Sequence, residues 1–153
     1  MKISSDYKDL LNIFNAAGVR YLIVGGYAVM VHSEPHYTKD LDIWIDLSEG
    51  NAQAAFSALA RFGAPLKGLE ASDFNAPDVF YQVGIEPVRV DIMTSVPGLE
   101  FARAWERRVI VDFDGESAPV ISRDDLVTSK SRAGRPRNHK HVRKIRKTPK
   151  RGR

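Results

Sequence analysis

Three acids stand where a folded chain accommodates them least easily. Asp40 and Asp42 open the stretch TKDLDIWIDL (residues 38–47), and Asp91 interrupts the apolar run VRVDIM (residues 88–93). A carboxylate within a sheet is costly unless a cation comes to meet it. Side chains two apart on a strand share one face, roughly 7 Å apart. Asp40 and Asp42 therefore project together, with Leu41, Ile43 and Ile45 on the opposite face. Adjacent anions raise one another's pKa or demand a positive charge. Oxygen ligands so spaced suit Mg²⁺ (or Mn²⁺), a hard ion that shares its coordination sphere with phosphate oxygens. In its own strand Asp91 shares a face with Arg89 and Met93, opposite Val88, Val90 and Ile92.

A phosphate needs donors as well as a cation. Gly25-Gly26 in YLIVGGYAVMV are separated from Asp40 by 13 residues and lie between a strand-like run and a helix-like one. Glycines there let the backbone approach a ligand closely, and a helix N-terminus offers free N–H groups and a positive dipole end. Amide donors in one place and two or three carboxylates in another fit in-line phosphoryl or nucleotidyl transfer between two metal ions.

The elements that must position these residues follow from patterning. Residues 4–18 suit a helix with Ser4 or Ser5 as N-cap, Leu10, Leu11 and Phe14 on one face, and Gly18 as its stop. Val19–Val24 is a short buried strand, and YAVMVH is a short helix entered through the glycine turn. Asp40–Leu47 is the second strand. Ser48-Glu49 begins a helix to about Phe62, stopped by Gly63. Residues 64–78 are rich in Ala, Pro and Gly and are expected to loop across the surface. Val79–Val83 and Val88–Met93 pair as a hairpin. Residues 98–107 suit a helix with Leu99, Ala102 and Trp105 inward. Val109–Phe113 and Pro119–Ile121 are strands flanking Asp114-Gly115, and Ser122 caps a last helix that Gly134 closes. Helices and strands are mixed, with few crossovers, so the fold class is α+β.

With 153 residues the chain has enough length for one domain with a real core. The absence of cysteine excludes a disulfide scaffold, a thiolate metal site and a cysteine nucleophile. No run approaches a membrane span, and no secretory leader is evident, which makes the cytoplasm the default location. His32, His36, His139 and His141 form no evident zinc site. The net charge of +4 hides an asymmetry: residues 130–153 carry 12 of the 23 Lys and Arg and no acid. Residues 1–129 hold 11 bases against 19 acids, a net of −8. The expected organisation is a domain over 1–137 and a basic, disordered tail over 138–153. Such a tail suits RNA phosphates or an acidic partner, and it lacks the aromatic platform of a single-strand reader.

The diglycine, the acid pair at that spacing and the later strand acid together resemble the nucleotidyltransferase superfamily with the DNA polymerase β-like palm. The resemblance is to its small stand-alone bacterial members of the toxin–antitoxin and phage-defence type, and spans about residues 6–137. It implies a mixed sheet with flanking helices and transfer of a nucleoside monophosphate from an NTP to a hydroxyl of RNA, protein or a small molecule. It further implies that Asp40 and Asp42 bind the metals, that Asp91 completes the clamp and helps activate the acceptor, and that Gly25 and Gly26 hold the phosphates. Thr38 stands where many relatives have threonine, and Lys130 and Arg135 in ISRDDLVTSKSRAGRP match their phosphate contacts. Two other readings stand beside it: a catalytically silent, nucleotide-binding half of a toxin–antitoxin pair, and an RNA-associating protein acting through its basic tail. Spacing selects neither the base, ATP included, nor the acceptor.

Overall fold

The computed structural model describes residues 1–33, 40–85, 88–133 and 143–146. Thr38 and Arg135, both expected at the site, lie outside the described residues, as do His36 and most of the segment 138–153. In chain order the elements are α1 (Ser5–Ala16), β1 (Tyr21–Val24), α2 (Gly25–His32), β2 (Asp40–Ile45), α3 (Glu49–Phe62), a 3₁₀ turn (Ala71–Phe74), β3 (Val79–Ile85), β4 (Val88–Met93), α4 (Phe101–Glu106), β5 (Val109–Phe113), β6 (Glu116–Val120), α5 (Arg123–Ala133) and β7 (Arg143–Arg146). The strands form one sheet in the order β5-β6-β1-β2-β4-β3-β7. Pairings are antiparallel for β5/β6, β1/β2 and β3/β4, and parallel for β1/β6, β2/β4 and β3/β7. This is the expected α+β architecture. None of the described helices is long and apolar enough to cross a membrane.

Local chemistry accounts for most boundaries. Ser4 caps α1, its hydroxyl accepting the Tyr7 N–H at 3.2 Å. Gly63 ends α3 at φ +98°, a left-handed conformation that glycine adopts without penalty. Ser48 does not cap α3 through its side chain. Asn51 does the anchoring: it accepts the Arg20 N–H at 2.7 Å and donates to the Arg20 and Asp46 carbonyls at 3.0 and 2.7 Å. One buried amide thereby ties α3 to the far ends of β1 and β2.

The two faces of the sheet differ. Leu41, Ile43, Val90 and Ile92 are almost fully buried on the side covered by α1 and α3. On the other side Trp44 packs edge-on against Phe101 of α4, ring centroids 5.1 Å apart. Asp40 and Asp42 share that side with Trp44, by strand alternation.

Five details depart from the expectation. Helix α2 begins at Gly25 itself, so the glycines form its first turn rather than a turn ahead of it. Helix α4 starts three residues late, after Gly98 at φ +81°; Leu99 and Trp105 pack against the core, but Ala104 is buried where Ala102 was expected. Asp114-Gly115 form a two-residue hairpin turn, both at positive φ (56° and 95°), so pairing resumes at once and β6 starts at Glu116 rather than Pro119. The segment 64–78 contributes Phe74, fully buried between Phe56 and Tyr81. Within the basic segment, Arg143–Arg146 adds a parallel strand along the edge of β3, whose free N–H and C=O groups invite such pairing.

Candidate active site

Strand register brings the three acids together. Parallel pairing of β2 with β4 sets Asp42 beside Asp91 and Asp40 beside Arg89. Antiparallel pairing of β1 with β2 sets Val24 opposite Asp42, so Gly25 arrives next to the same carboxylate. Neighbouring strands lie about 4.8 Å apart, so residues 42 and 91 stand abreast on one face.

Gly25 is a close-approach residue. Its φ is +68°, and a Cβ added there would run into the Asp42 carboxylate, with Cγ at 2.8 Å. Only a bare backbone lets the start of α2 lie against that side chain. Gly26 follows without a positive φ.

Electrostatics follows from burial. Asp42 is pushed up to about 8, first by desolvation, then by the charge of Asp91 and a hydrogen bond with it, then by Asp40, with Arg89 opposing. Asp91 is raised too, again chiefly by burial, while hydrogen bonds from Asp42 and Gln82 and the charge of Arg89 pull it back. The consistent proton placement puts hydrogen on Asp42, donated to Asp91.

Arg89 answers the demand for a cation. Its Nη2 donates to Asp40 Oδ2 at 2.7 Å, and its Nε faces Asp91 Oδ1 at 3.6 Å. The backbone of Arg89 is held in turn by Tyr7, whose hydroxyl accepts the Arg89 N–H at 3.1 Å and donates to its carbonyl at 2.8 Å. Burial pushes Tyr7 up to about 12, so it keeps the proton this bond requires.

The donors suit a hard divalent cation. Two carboxylates stand abreast, Asp91 Oδ1 is buried with no hydrogen-bond partner, and a side-chain-free backbone borders Asp42. A divalent ion would displace the proton that desolvation holds on Asp42. Yet no set of three acids or imidazoles stands assembled as a metal cage among the described residues. Asp40 is engaged by Arg89 instead. Asp42 and Asp91 are thus the side chains that could hold such an ion, while Asp40 is committed to Arg89.

The other expected residue divides from this group. Lys130 is exposed on α5, and among the described residues no ion pair joins it to the acids. Sequence reasoning missed Arg89, Gln82 and Tyr7 as parts of the site. Arg89 carried a signal, its shared parity with Asp91, and so did Gln82, the polar residue in VFYQVGI. Nothing local marks Tyr7, whose role depends on α1 reaching β4. A groove of about 540 Å³ lies on the opposite face, lined by Asp6, Asp9, Asn12 and Arg61 over Val83 and Val90. Its acids belong to the solvated first turns of α1, and its floor is apolar.

The proton on Asp42 predicts a pH dependence. The folded protein holds it up to about pH 8, whereas an unfolded aspartate loses it near its ordinary value of 3.8. Between those values the native state binds more protons, so stability falls as pH rises through the window. The groups facing Asp42 are Asp91, Asp40 and Arg89. Melting in a chelating buffer should show the wild type losing stability relative to Asp42→Asn between pH 5 and 8. A constant difference would exclude the buried proton.

A family model described as nucleotidyl transferase of unknown function (DUF2204) matches residues 3–153. A Thermotoga maritima protein described as a nucleotidyltransferase (TM1012) superimposes with a TM-score of 0.63 at 17% identity, over 88% of this chain and 86% of its own. The lincosamide antibiotic adenylyltransferase LnuA, in its lincomycin-bound structure, gives a TM-score of 0.52 at 14% identity, over 92% of this chain and 98% of that one. At these identities the likeness to the two structures is one of fold. No curated protein matches the sequence.

Proposed function

Because this chain belongs to that family of nucleotidyl transferases, which its sequence matches almost end to end, we propose that the carboxylate cluster is the active centre of a metal-dependent transfer of a nucleoside monophosphate from an NTP to an acceptor hydroxyl. The observation that carries the reading is the register of Asp42 with Asp91 beside the bare backbone of Gly25. Asp42 and Asp91, joined by Asp40, would hold Mg²⁺ or Mn²⁺. Such an ion supplies charge neutralisation for the triphosphate and the departing pyrophosphate. The start of α2 at Gly25-Gly26 faces its amides and positive dipole end toward the phosphates. In the transfer, a bond forms between the acceptor oxygen and the α-phosphorus, and the α–β phosphoanhydride bond breaks. The acceptor's proton passes to the free oxygen of Asp91, and pyrophosphate leaves.

One structural neighbour adenylylates a lincosamide antibiotic, so ATP and small hydroxylated molecules belong among the first substrates. The basic segment from Lys130 onward suits a polyanionic acceptor, RNA foremost. Incubating the full chain with each α-labelled NTP, Mn²⁺ or Mg²⁺, and RNA, protein or small-molecule acceptors should yield labelled product with one NTP preferred. Absence of labelled product and of pyrophosphate release across that panel would favour the silent, nucleotide-binding reading.

A further inference from the structure

We propose that Arg89 is an internal cation that occupies the acid cluster in the metal-free protein and must withdraw before a divalent ion enters, so that it sets the metal concentration at which the site fills. This deepens the active-centre reading above and rests on it.

The geometry is that of a placeholder rather than a permanent pair. Among the described residues the guanidinium is anchored at one carboxylate, by the 2.7 Å bond from Nη2 to Asp40 Oδ2. Toward the second acid it only opposes charge: Nε and Asp91 Oδ1 stand 3.6 Å apart, and each is buried with no hydrogen-bond partner. A settled arginine fork would close both contacts to about 2.8 Å. The base of the arm is fixed, because Tyr7 clamps the Arg89 backbone from both sides. About a third of the side chain reaches solvent (31%), which leaves the arm a path outward once the Asp40 bond breaks.

Guanidinium and metal serve the same anions and exclude each other. Arginine is weakly hydrated and enters a half-buried site at modest cost. Mg²⁺ gives up its waters reluctantly and gains most when phosphate oxygens complete its sphere. The free protein should therefore bind metal weakly, and the nucleotide-bound protein far better, with the released guanidinium left near the incoming phosphates.

The test is calorimetric titration of the full chain with Mn²⁺ alone, without nucleotide, alongside melting curves with and without Mn²⁺. Arg89→Met should bind Mn²⁺ about tenfold more tightly than the wild type, within the usual range of site–site coupling. Metal-free, it should melt lower, and it should gain more from Mn²⁺. Arg89→Lys, which keeps the charge on a single point, should fall between the two, and it decides the matter alone if Arg89→Met does not fold. Equal or weaker Mn²⁺ binding in the variants, with binding still abolished by Asp42→Asn, would overturn the role of Arg89 and leave the metal site standing. No Mn²⁺ binding by any of these proteins would overturn the metal site and this inference with it.

Discussion

Asp42→Asn should lower nucleotidyl transfer about a thousandfold or more, equivalent to ~4 kcal/mol of transition-state stabilisation, while the protein folds as before. The carboxylate at 42 is the member of the cluster with the least room to be replaced. It lies between Asp91 on β4 and the backbone of Gly25, and is held protonated by burial when no metal is present. Asparagine copies that neutral state: its amide can donate to Asp91 as the protonated acid does. It cannot become the anion that a divalent cation requires. Loss of activity should therefore accompany equal or higher stability at pH 8, measured by melting in a chelating buffer. A variant that is both inactive and unfolded would point to a structural carboxylate, and a variant that retains transfer would remove Asp42 from the chemistry.

Gly25→Ala is the second large effect, and it arises from space rather than charge. The added methyl meets the Asp42 carboxylate, and the residue already sits at φ +68°, where a side chain costs about 1–2 kcal/mol. To fit, either α2 recedes or Asp42 turns away, and both separate the first-turn amides of α2 from the acids. Displacement of about 1 Å in such a site costs on the order of a hundredfold in rate. The variant should show that loss together with a modest fall in melting temperature. Gly50→Ala, a change in open space on α3, should leave transfer untouched. Equal activity in both variants would show that the close approach at Gly25 has no part in catalysis.

How much of this was legible beforehand depends on the range of the interaction. Asp40 and Asp42 could be read as sharing one face, and Asp91 as facing away from Val90 and Ile92, because alternation along a strand is a property of a few consecutive residues. The hairpin of β3 and β4, the cap at Ser4 and the stop at Gly63 were legible for the same reason. The placing of Asp42 against Asp91 required knowing that β2 and β4 are parallel neighbours, which no local pattern encodes. Arg89 illustrates the limit. Its face was known from parity, but its length lets it reach Asp40 on the adjacent strand, so the cation that meets the acids came from the protein itself. Phe74 was hidden because composition marks 64–78 as loop, while tertiary packing recruits one ring from it into the core. Lys130 is the converse case, matched by resemblance and found exposed on α5.

Crystals of the full chain grown with Mn²⁺ and a non-hydrolysable NTP, recorded at the manganese absorption edge, test the central claim most directly. An anomalous peak held between Asp42 and Asp91, with the triphosphate against the first turn of α2 and Arg89 drawn off Asp40, is the predicted result. Manganese bound away from these carboxylates, or a nucleotide seated elsewhere while Arg89 stays on Asp40, would contradict it.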